Sequence, residues 1–242
     1  MDANTNYDTF HVKRPFLVVA DARTGGTYLC CCLDSHPDIG CYRDEPLHPD
    51  SKWLELIGKK NALKLAYVIW NRMGYKVSGL KVTYPEYDMF LDGKIDLSIT
   101  KCIHLARNPL GVMLSRVIAI WRDGDPRYSH HTYTSVDPNP VEINPGWFVK
   151  ECLAIQEETE RYKAKLYDQF GDNYLYLEYE HIIPERVGGD ICSGWMPKAV
   201  SDMLCNFLDV GYWSMYSSTR PVNASRAGCA RSVRPSVGRS PG

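Results

Sequence analysis

Short apolar segments with the composition of buried strands alternate along the chain with segments of helical periodicity. This alternation constrains the fold more than any other feature, because strands that are separated by helices form a parallel sheet covered on both faces. We therefore predict a three-layer α/β fold with a central parallel sheet of about five strands. The predicted strands are Phe16–Ala20, Ile39–Tyr42, Val77–Val82, Ile99–Ala106 and Tyr174–Tyr179, and the predicted helices are Thr27–Leu33, Trp53–Met73, Pro109–Trp121, Trp147–Phe170 and Pro197–Leu208.

Length and charge divide the chain into three parts. Its 242 residues suit a single core, which we place at residues 15–218, after a polar N-terminal extension of residues 1–14. Residues 219–242 form a tail rich in Arg, Ser, Gly and Pro, a composition that predicts poor order. Of the 28 Lys and Arg residues, five lie after Asp209, where no acidic residue occurs, so 23 basic and 29 acidic residues precede them. The near-neutral total of −1 does not favour a nucleic acid as partner.

The sequence shows no signal that would direct the chain into or across a membrane. No apolar run approaches the roughly 18–20 residues that span a bilayer, and the polar N-terminus does not have the order of a signal peptide. The nine cysteines include the contiguous Cys30, Cys31 and Cys32, and an odd number without a secretory segment is typical of reduced thiols. We therefore expect a cytoplasmic protein without an integral membrane segment. No matching pair of Cys-x-x-Cys motifs is present, so the sequence predicts no metal site.

The segment after the first predicted strand has the composition of an anion-binding loop. It runs Arg23-Thr24-Gly25-Gly26-Thr27 and leads directly into a helix. Paired glycines let the backbone turn tightly and point several N–H groups at one anion, and the helix N-terminus adds a favourable dipole. The alternative is an ordinary glycine turn. The loop lacks the Gly-Lys-Ser/Thr ending of a nucleoside-triphosphate loop, which disfavours ATP hydrolysis.

A second cationic segment follows the fourth predicted strand. Arg107 comes directly after that strand, and Ser115 lies roughly two helical turns beyond the helix start at Pro109. Together they can grip a phosphate, the arginine with its planar fork and the serine with its hydroxyl. Read alone, each of the two residues is typical of a solvated surface. Because ligands of such sheets bind beyond the carboxyl ends of the strands, we expect both segments at one edge of the sheet.

Together these segments resemble the sulfotransferase superfamily, which uses 3′-phosphoadenosine 5′-phosphosulfate (PAPS). The resemblance rests on PFLVVADARTGGTYL (residues 15–29), HLARNPLGVMLSR (residues 104–116) and, at a late strand, YLEYEHI (residues 176–182). It covers roughly residues 15–210 and implies a P-loop-like sulfotransferase fold, with PAPS as donor co-substrate and no metal. Gly26 departs from the pattern, since many members have a hydroxyl residue there.

The resemblance also implies which residues bind the donor. The loop after the first strand would hold the 5′-phosphosulfate, and Arg107 and Ser115 would hold the 3′-phosphate. Tyr28 and Tyr179 lie where members of the superfamily place an aromatic ring near the adenine or adenosine, and packing in the core is the alternative for both. The implied donor-binding residues are Arg23, Thr24, Gly25, Gly26, Thr27, Tyr28, Arg107, Ser115 and Tyr179.

Three residues are candidates for the chemistry itself. Arg23 takes the place of the loop's catalytic cation and can stabilise the leaving 5′-phosphate. Aryl and steroid sulfotransferases have a histidine base after the third strand, where this chain has none, whereas carbohydrate and tyrosylprotein sulfotransferases tend to have a glutamate just beyond the second strand. Glu45 is therefore the candidate base, with Asp44 as the fallback and a simple ion pair between Glu45 and Arg43 as the structural alternative. Lys81, at the end of the third strand, can stabilise the sulfuryl or bridging oxygens.

The resemblance favours a PAPS-dependent O-sulfotransferase that acts on a small-molecule or glycan hydroxyl. A glutamate base makes a sugar or glycolipid a better acceptor class than a phenol or steroid. The polar loop of residues 123–145, with its tyrosines and histidines, suits contact with sugar faces. Two alternatives remain: a P-loop-like nucleotide or nucleoside kinase, and a relative that binds the nucleotide or a protein partner without turnover.

Overall fold

A computed structural model describes five stretches of the chain, residues 14–42, 45–72, 74–123, 143–183 and 195–216. For Arg72 and residues 119–123 only the backbone is described. Several predictions concern parts outside these stretches and stay predictions. They are the N-terminal extension up to residue 13, most of the loop of residues 123–145, the tail of residues 219–242, the alternative base Asp44 and the alternative pairing of Glu45 with Arg43.

The central sheet consists of β1 (Pro15–Ala20), β2 (Ile39–Tyr42), β3 (Val77–Val82), β4 (Lys101–Ala106) and β5 (Tyr174–Glu178). The strands lie in the order β2-β3-β1-β4-β5, and every neighbouring pair is parallel. Phe16 of the central strand β1 lies opposite Gly79 on one side and Lys101 on the other. The predicted five-stranded parallel sheet is confirmed.

Eight α-helical segments are found in the described stretches. They are α1 (Gly26–Asp34), α2 (Lys52–Ile57), α3 (Ala62–Arg72), α4 (Tyr84–Glu86), α5 (Pro109–Asp123), α6 (Pro145–Phe170), α7 (Tyr179–Ile182) and α8 (Lys198–Phe207). Short 3₁₀ turns cover Lys59–Asn61 and Gly171–Asn173, and a π-helical turn covers Tyr87–Leu91. No helix of the described stretches is long and apolar enough to cross a membrane.

Alternate side chains of β1 enter two different cores. Phe16 and Val18 pack with residues of α1 and α8 on one face of the sheet. Leu17 and Val19 pack with residues of α3 and α6 on the other face. All four side chains are fully buried, which explains why β1 is apolar at every position rather than at every second one. Helices on both faces give the three layers that the sequence predicts.

One predicted helix is wrong in its extent. The apolar spacing over residues 53–73 predicts a single helix, but α2 ends at Ile57 and α3 begins at Ala62. Gly58 separates them with φ +78°, a conformation that glycine adopts without steric cost, and its N–H bonds the carbonyl of Leu54. The other predicted bounds agree with the structure within two residues.

The carboxyl ends of β1 and β4 meet where the chain reverses the direction of its crossovers. From β1 the chain crosses to β2 at one edge of the sheet, and from β4 it continues to β5 at the other edge. Ligands of open α/β sheets bind at such a switch point. The two cationic segments singled out in the sequence follow these two strands.

Candidate functional site

The loop after β1 adopts the tight turn that its glycines predict. Gly25, the residue before α1, has φ +94°, which favours glycine. A Cβ at Gly25 would lie 2.2 Å from Cδ2 of Tyr179, so the tyrosine ring packs directly on the loop backbone. Both the N–H and the hydroxyl of Thr24 donate to the carbonyl of Asp21, at 3.3 Å and 2.6 Å. The turn is therefore closed by its own hydrogen bonds and supported by the packed ring of Tyr179.

Arg23 and Ser115 contact each other and join the two predicted phosphate-binding segments. Nε of Arg23 donates to Oγ of Ser115 at 3.0 Å. Arg107 donates from Nη1 to the backbone carbonyl of Arg23 at 3.1 Å. Arg23 has a left-handed backbone with φ 71°, a conformation that is uncommon for non-glycine residues and frequent at functional sites. Sequence reasoning assigned Arg23 and Ser115 to different phosphates and did not predict their contact.

Arg107 lies between the start of α5 and the ring of Tyr179. Its guanidinium carbon is 4.5 Å from the ring centroid, a cation–π arrangement. Gly111 makes room for it, because a Cβ there would lie 2.9 Å from Nε of Arg107. That Nε is buried and has no hydrogen-bond partner among the described residues. An unpaired buried N–H of a cation is costly, and an anionic ligand would pair with it.

Lys81 and Glu45 form an ion pair at the carboxyl end of β3. Nζ of Lys81 is 2.9 Å from Oε1 of Glu45 and donates to Oγ1 of Thr27 at 3.1 Å. The lysine is buried, whereas the glutamate side chain is 28% exposed. Burial works against the charged form of Lys81, but Glu45, Cys30 and Glu86 together outweigh it, so the pKa of Lys81 is raised. The structure thus brings two of the three predicted chemical residues together against the first turn of α1.

Because Gly26 has no side chain, the side chain of Lys81 can pass over it and reach Thr27. A Cβ at Gly26 would lie 3.1 Å from Cδ of Lys81 and 3.2 Å from Cβ of Ala20. Both distances are shorter than ordinary van der Waals contacts. The departure of Gly26 from the family pattern therefore has a structural counterpart in the course of the lysine side chain.

Asp21 and Arg116 form a second ion pair that sequence analysis did not predict. Nη2 of Arg116 is 2.7 Å from Oδ2 of Asp21, and Oδ1 accepts the N–H of Ala22 at 2.7 Å. Burial raises the pKa of Asp21, and the charge of Arg116 opposes that rise. Arg116 is thus engaged by the start of the loop. The sequence signal was an acidic residue directly after β1 next to a cationic loop, which implies a neutralising partner.

Glu86 is the other residue of the site that sequence analysis missed. Its side chain is 1% exposed, and Oε2 accepts the N–H of Thr83 at 2.7 Å. The available signal was the Thr-x-x-Glu pattern of a capping box just after β3. Burial raises the pKa of Glu86 to about 7, and the charges of Glu45 and Lys81 both act on it.

The two tyrosines predicted near adenosine occupy different places. Tyr28 is buried in the core formed by α1 and α8, whereas Tyr179 packs on Gly25 and under Arg107. Their rings meet edge to face, with centroids 6.4 Å apart. Tyr179 therefore borders the site, Tyr28 lies behind it, and the contact of either with a nucleotide stays a prediction.

Comparison with solved structures finds sulfotransferases. The sulfotransferase from Alicyclobacillus acidocaldarius superposes with a TM-score of 0.53 and 18% sequence identity, over 87% of this chain and 87% of that chain. The sulfotransferase domain from the curacin biosynthetic pathway gives 0.49 and 14%, over 83% and 75% of the two chains. Mouse sulfotransferase SULT7A1 complexed with PAP gives 0.43 and 14%, over 82% and 60%. No protein-family model matches the sequence, and no curated protein matches it significantly. The chain has the fold of the Alicyclobacillus acidocaldarius sulfotransferase, as its motifs predict.

Proposed function

We propose that this chain is a sulfotransferase that moves a sulfuryl group from PAPS to a hydroxyl acceptor. The observation that carries the proposal is the position of Lys81, which binds Glu45 and Thr27 at the same time. A cation and a carboxylate are thereby held against the anion-binding loop. The fold shared with the Alicyclobacillus acidocaldarius sulfotransferase supports the same function.

The residues present fit a donor with two anionic ends. The left-handed turn at Gly25 precedes a nine-residue helix, so backbone N–H groups and the helix dipole can meet a 5′-phosphosulfate. The unpaired Nε of Arg107 and the nearby hydroxyl of Ser115 suit the 3′-phosphate. No group of three or more His, Cys, Asp or Glu side chains in the described stretches is arranged to hold a metal.

Transfer requires charge stabilisation and a place for one proton. As the acceptor oxygen bonds to sulfur, the bond from sulfur to the 5′-phosphate breaks, and its electron pair leaves with the phosphate. Glu45 takes the proton of the acceptor hydroxyl. Lys81 and Arg23 stabilise the negative charge that develops on the sulfuryl and bridging oxygens. Because a guanidinium has five N–H donors, Arg23 can retain its bond to Ser115 while other N–H groups face the donor.

The ion pair explains how the base becomes available. In the structure the ammonium of Lys81 is 2.9 Å from Glu45, and a carboxylate paired with a cation is a weaker proton acceptor. A sulfuryl group bound at the loop adds negative charge next to Lys81 and competes for the ammonium. Glu45 is then released to accept a proton only when the donor is in place.

We further propose a carbohydrate or glycolipid hydroxyl as the acceptor. A carboxylate base suits an alcohol of the kind that sugars present, and no histidine lies in the stretch after β3 where phenol- and steroid-sulfating members have one. Incubation of the protein with PAPS and a panel of sugars, glycolipids, phenols and steroids, read by mass spectrometry, tests the acceptor class. Transfer from ATP with Mg²⁺, and none from PAPS, would identify a kinase instead.

The division between donor binding and chemistry is tested by two substitutions. Arg107→Ala should weaken binding of adenosine 3′,5′-bisphosphate by about 10- to 100-fold, because a charge-assisted contact is lost. Glu45→Gln should lower turnover by about 100-fold or more and change that binding by less than about threefold. Calorimetry and turnover with PAPS measure the two effects.

Matched controls exist on the exposed side of α6. Arg161→Ala removes a guanidinium whose side chain is 63% exposed, and Glu157→Gln removes an exposed carboxylate. Neither should change binding or turnover. Equal loss of nucleotide binding in Arg107→Ala and Glu45→Gln would contradict the assigned roles. Binding without transfer to any acceptor would indicate a non-catalytic relative.

A further inference from the structure

Glu86 occupies a position where a carboxyl group is not needed to hold the fold. It is the last residue of the three-residue helix α4, and its Oε2 caps that turn by accepting the N–H of Thr83. An uncharged amide oxygen would accept the same hydrogen bond. The side chain is nevertheless an acid, and only 1% of it is exposed.

The second carboxyl oxygen of Glu86 is unpaired. Oε1 is buried and has no hydrogen-bond partner among the described residues. Buried polar atoms without partners are rare because they lose solvation without compensation. A buried acid with one idle oxygen at the edge of a proposed active site therefore points to a functional role.

Two of the residues that we place in the chemistry carry charges that act on Glu86. Lys81 on β3 and Glu45 in the segment after β2 both act on its carboxyl group. Glu45 in turn acts on Asp21, the acid after β1 that Arg116 holds. The buried ammonium of Lys81 thus contacts the carboxylate of Glu45 at 2.9 Å and also interacts electrostatically with Glu86.

We propose that Glu86 is a positioning residue for sulfuryl transfer. Its carboxylate competes with that of Glu45 for the positive charge of Lys81 and thereby sets the basicity of Glu45. This inference rests on the proposed function. A negative charge on Glu86 attracts the ammonium of Lys81 and repels the negative charge of Glu45, so Glu45 binds a proton more strongly. When Glu86 is neutral, this competing negative charge is absent, so Lys81 stabilises the Glu45 carboxylate more strongly and Glu45 is a poorer base.

The coupling has a direction in pH. Burial raises the pKa of Glu86 to about 7, so its charge appears as the pH rises through neutrality. Glu45 should therefore become a better base over that range. Groups that interact in this way titrate as a pair in two steps rather than as independent sites.

Glu86→Gln tests the proposal because it removes the charge and retains an oxygen for the N–H of Thr83. We expect kcat to fall about 3- to 10-fold and the acidic limb of its pH profile to move to lower pH by about one unit, with KM for PAPS changed less than about twofold. Glu86→Asp, which restores the charge, should recover part of the wild-type profile, and Glu157→Gln should leave it unchanged. A pH profile of Glu86→Gln that coincides with the wild type would overturn the proposal.

A measurement without substrate separates this inference from the proposed function. In protein carrying ¹³C-carboxyl glutamate, the Glu45 signal is assigned by its loss in Glu45→Gln and titrated by NMR. The wild-type signal should shift in two steps, one of which coincides with the titration of Glu86, and this step should vanish in Glu86→Gln. A single-step Glu45 titration in the wild type would refute the coupling even if the variant failed to fold. Two-step titration without transfer from PAPS to any acceptor would reject the sulfotransferase function and leave the coupling standing.

Discussion

At Gly26 the loop has no Cβ, and the side chain of Lys81 passes over that position to reach Thr27. The lysine is buried and bonded at its end to both Thr27 and Glu45, so it has little freedom to move aside. The identity of one loop residue and the position of one catalytic candidate are therefore linked. A larger residue at Gly26 would act on the chemistry through Lys81.

Gly26→Ala tests this link. The added methyl group would meet Cδ of Lys81 at 3.1 Å and Cβ of Ala20 at 3.2 Å, so the side chain of Lys81 must shift by a few tenths of an ångström. We expect turnover with PAPS to fall about tenfold, since small misplacements of catalytic groups are costly, with a smaller effect on binding of adenosine 3′,5′-bisphosphate. Gly146→Ala, on the exposed start of α6, adds a methyl group in ordinary contact with its surroundings and serves as control. Unchanged turnover of Gly26→Ala would show that Lys81 can move without consequence.

The sequence predicts the loop and Arg107 because each lies in a short motif with its own physical signature. The hydrogen bond between Arg23 and Ser115 could not be predicted from the sequence, because it depends on how α5 is placed relative to β1. The pairing of Arg116 with Asp21 depends on the same placement. Glu86 was missed for another reason, since its capping pattern indicates local structure and says nothing of the nearby ion pair.

Strands β1 and β3 fit together because a large side chain on β1 lies opposite a glycine, which has no side chain, on β3. Phe16 lies opposite Gly79 in the register, and a Cβ at Gly79 would fall 2.0 Å from Cζ of the phenylalanine ring. The ring therefore covers the backbone of β3. These two strands end in the anion-binding loop and in Lys81, so their packing also positions the site.

Gly79→Ala should destabilise the sheet by about 1–3 kcal/mol, because the Phe16 ring must leave its place in a filled core. The free energy of urea-induced unfolding measures this effect. Gly211→Ala, at a position with open space around it, should leave that free energy nearly unchanged. In a double variant with Phe16→Leu the cost of Gly79→Ala should shrink, since the two residues are in contact. Additive effects of the two changes would contradict the packing argument.

At the level of elements, β1 was predictable because burial on both faces makes it apolar at every position, and the other strands because each contains a short, largely apolar segment. The helix predicted over residues 53–73 failed because the apolar spacing continues across Gly58, while the backbone there turns with a positive φ. The short elements after β3, α4 and the π-helical turn of Tyr87–Leu91, have no periodicity to detect. They are defined by contacts with distant helices, such as the bond from the Tyr87 hydroxyl to Gln169 on α6.

At the scale of the whole molecule, protonation of His104 and protonation of Glu86, two buried groups in the described stretches, act on stability with opposite signs. His104 is fully buried on β4, and the hydroxyls of Tyr84 and Tyr174 hold its two ring nitrogens at 2.7 Å and 2.8 Å. Burial lowers the pKa of His104 to about 4, and the charge of Lys163 adds to this effect. Burial raises the pKa of Glu86 to about 7.

The consequences for unfolding follow from the ordinary values of about 6.5 for histidine and about 4.3 for glutamate in an unfolded chain. Below pH 6.5 His104 is protonated in the unfolded chain but not in the folded protein, so its contribution to stability falls as the pH drops towards 4. The folded protein protonates Glu86 below pH 7 while the unfolded chain does not, so the contribution of Glu86 grows as the pH drops towards 4.5. Between pH 4.5 and 6.5 the two contributions oppose each other, each by at most about 1.4 kcal/mol per pH unit.

Single substitutions should reveal the two opposing pH dependences of the free energy of unfolding that cancel in the wild type. In Glu86→Gln the His104 contribution is no longer opposed by Glu86, so the free energy of unfolding should fall, relative to the wild type, by about 2 kcal/mol from pH 6.5 to 4.5. In His104→Gln the Glu86 contribution is no longer opposed by His104, and the change relative to the wild type over the same range should be a gain of similar size. Urea titrations of both variants, the double variant and the wild type at several pH values measure these differences. The double variant should again parallel the wild type, and single variants that run parallel to it would show that neither group is held in the folded protein as burial requires.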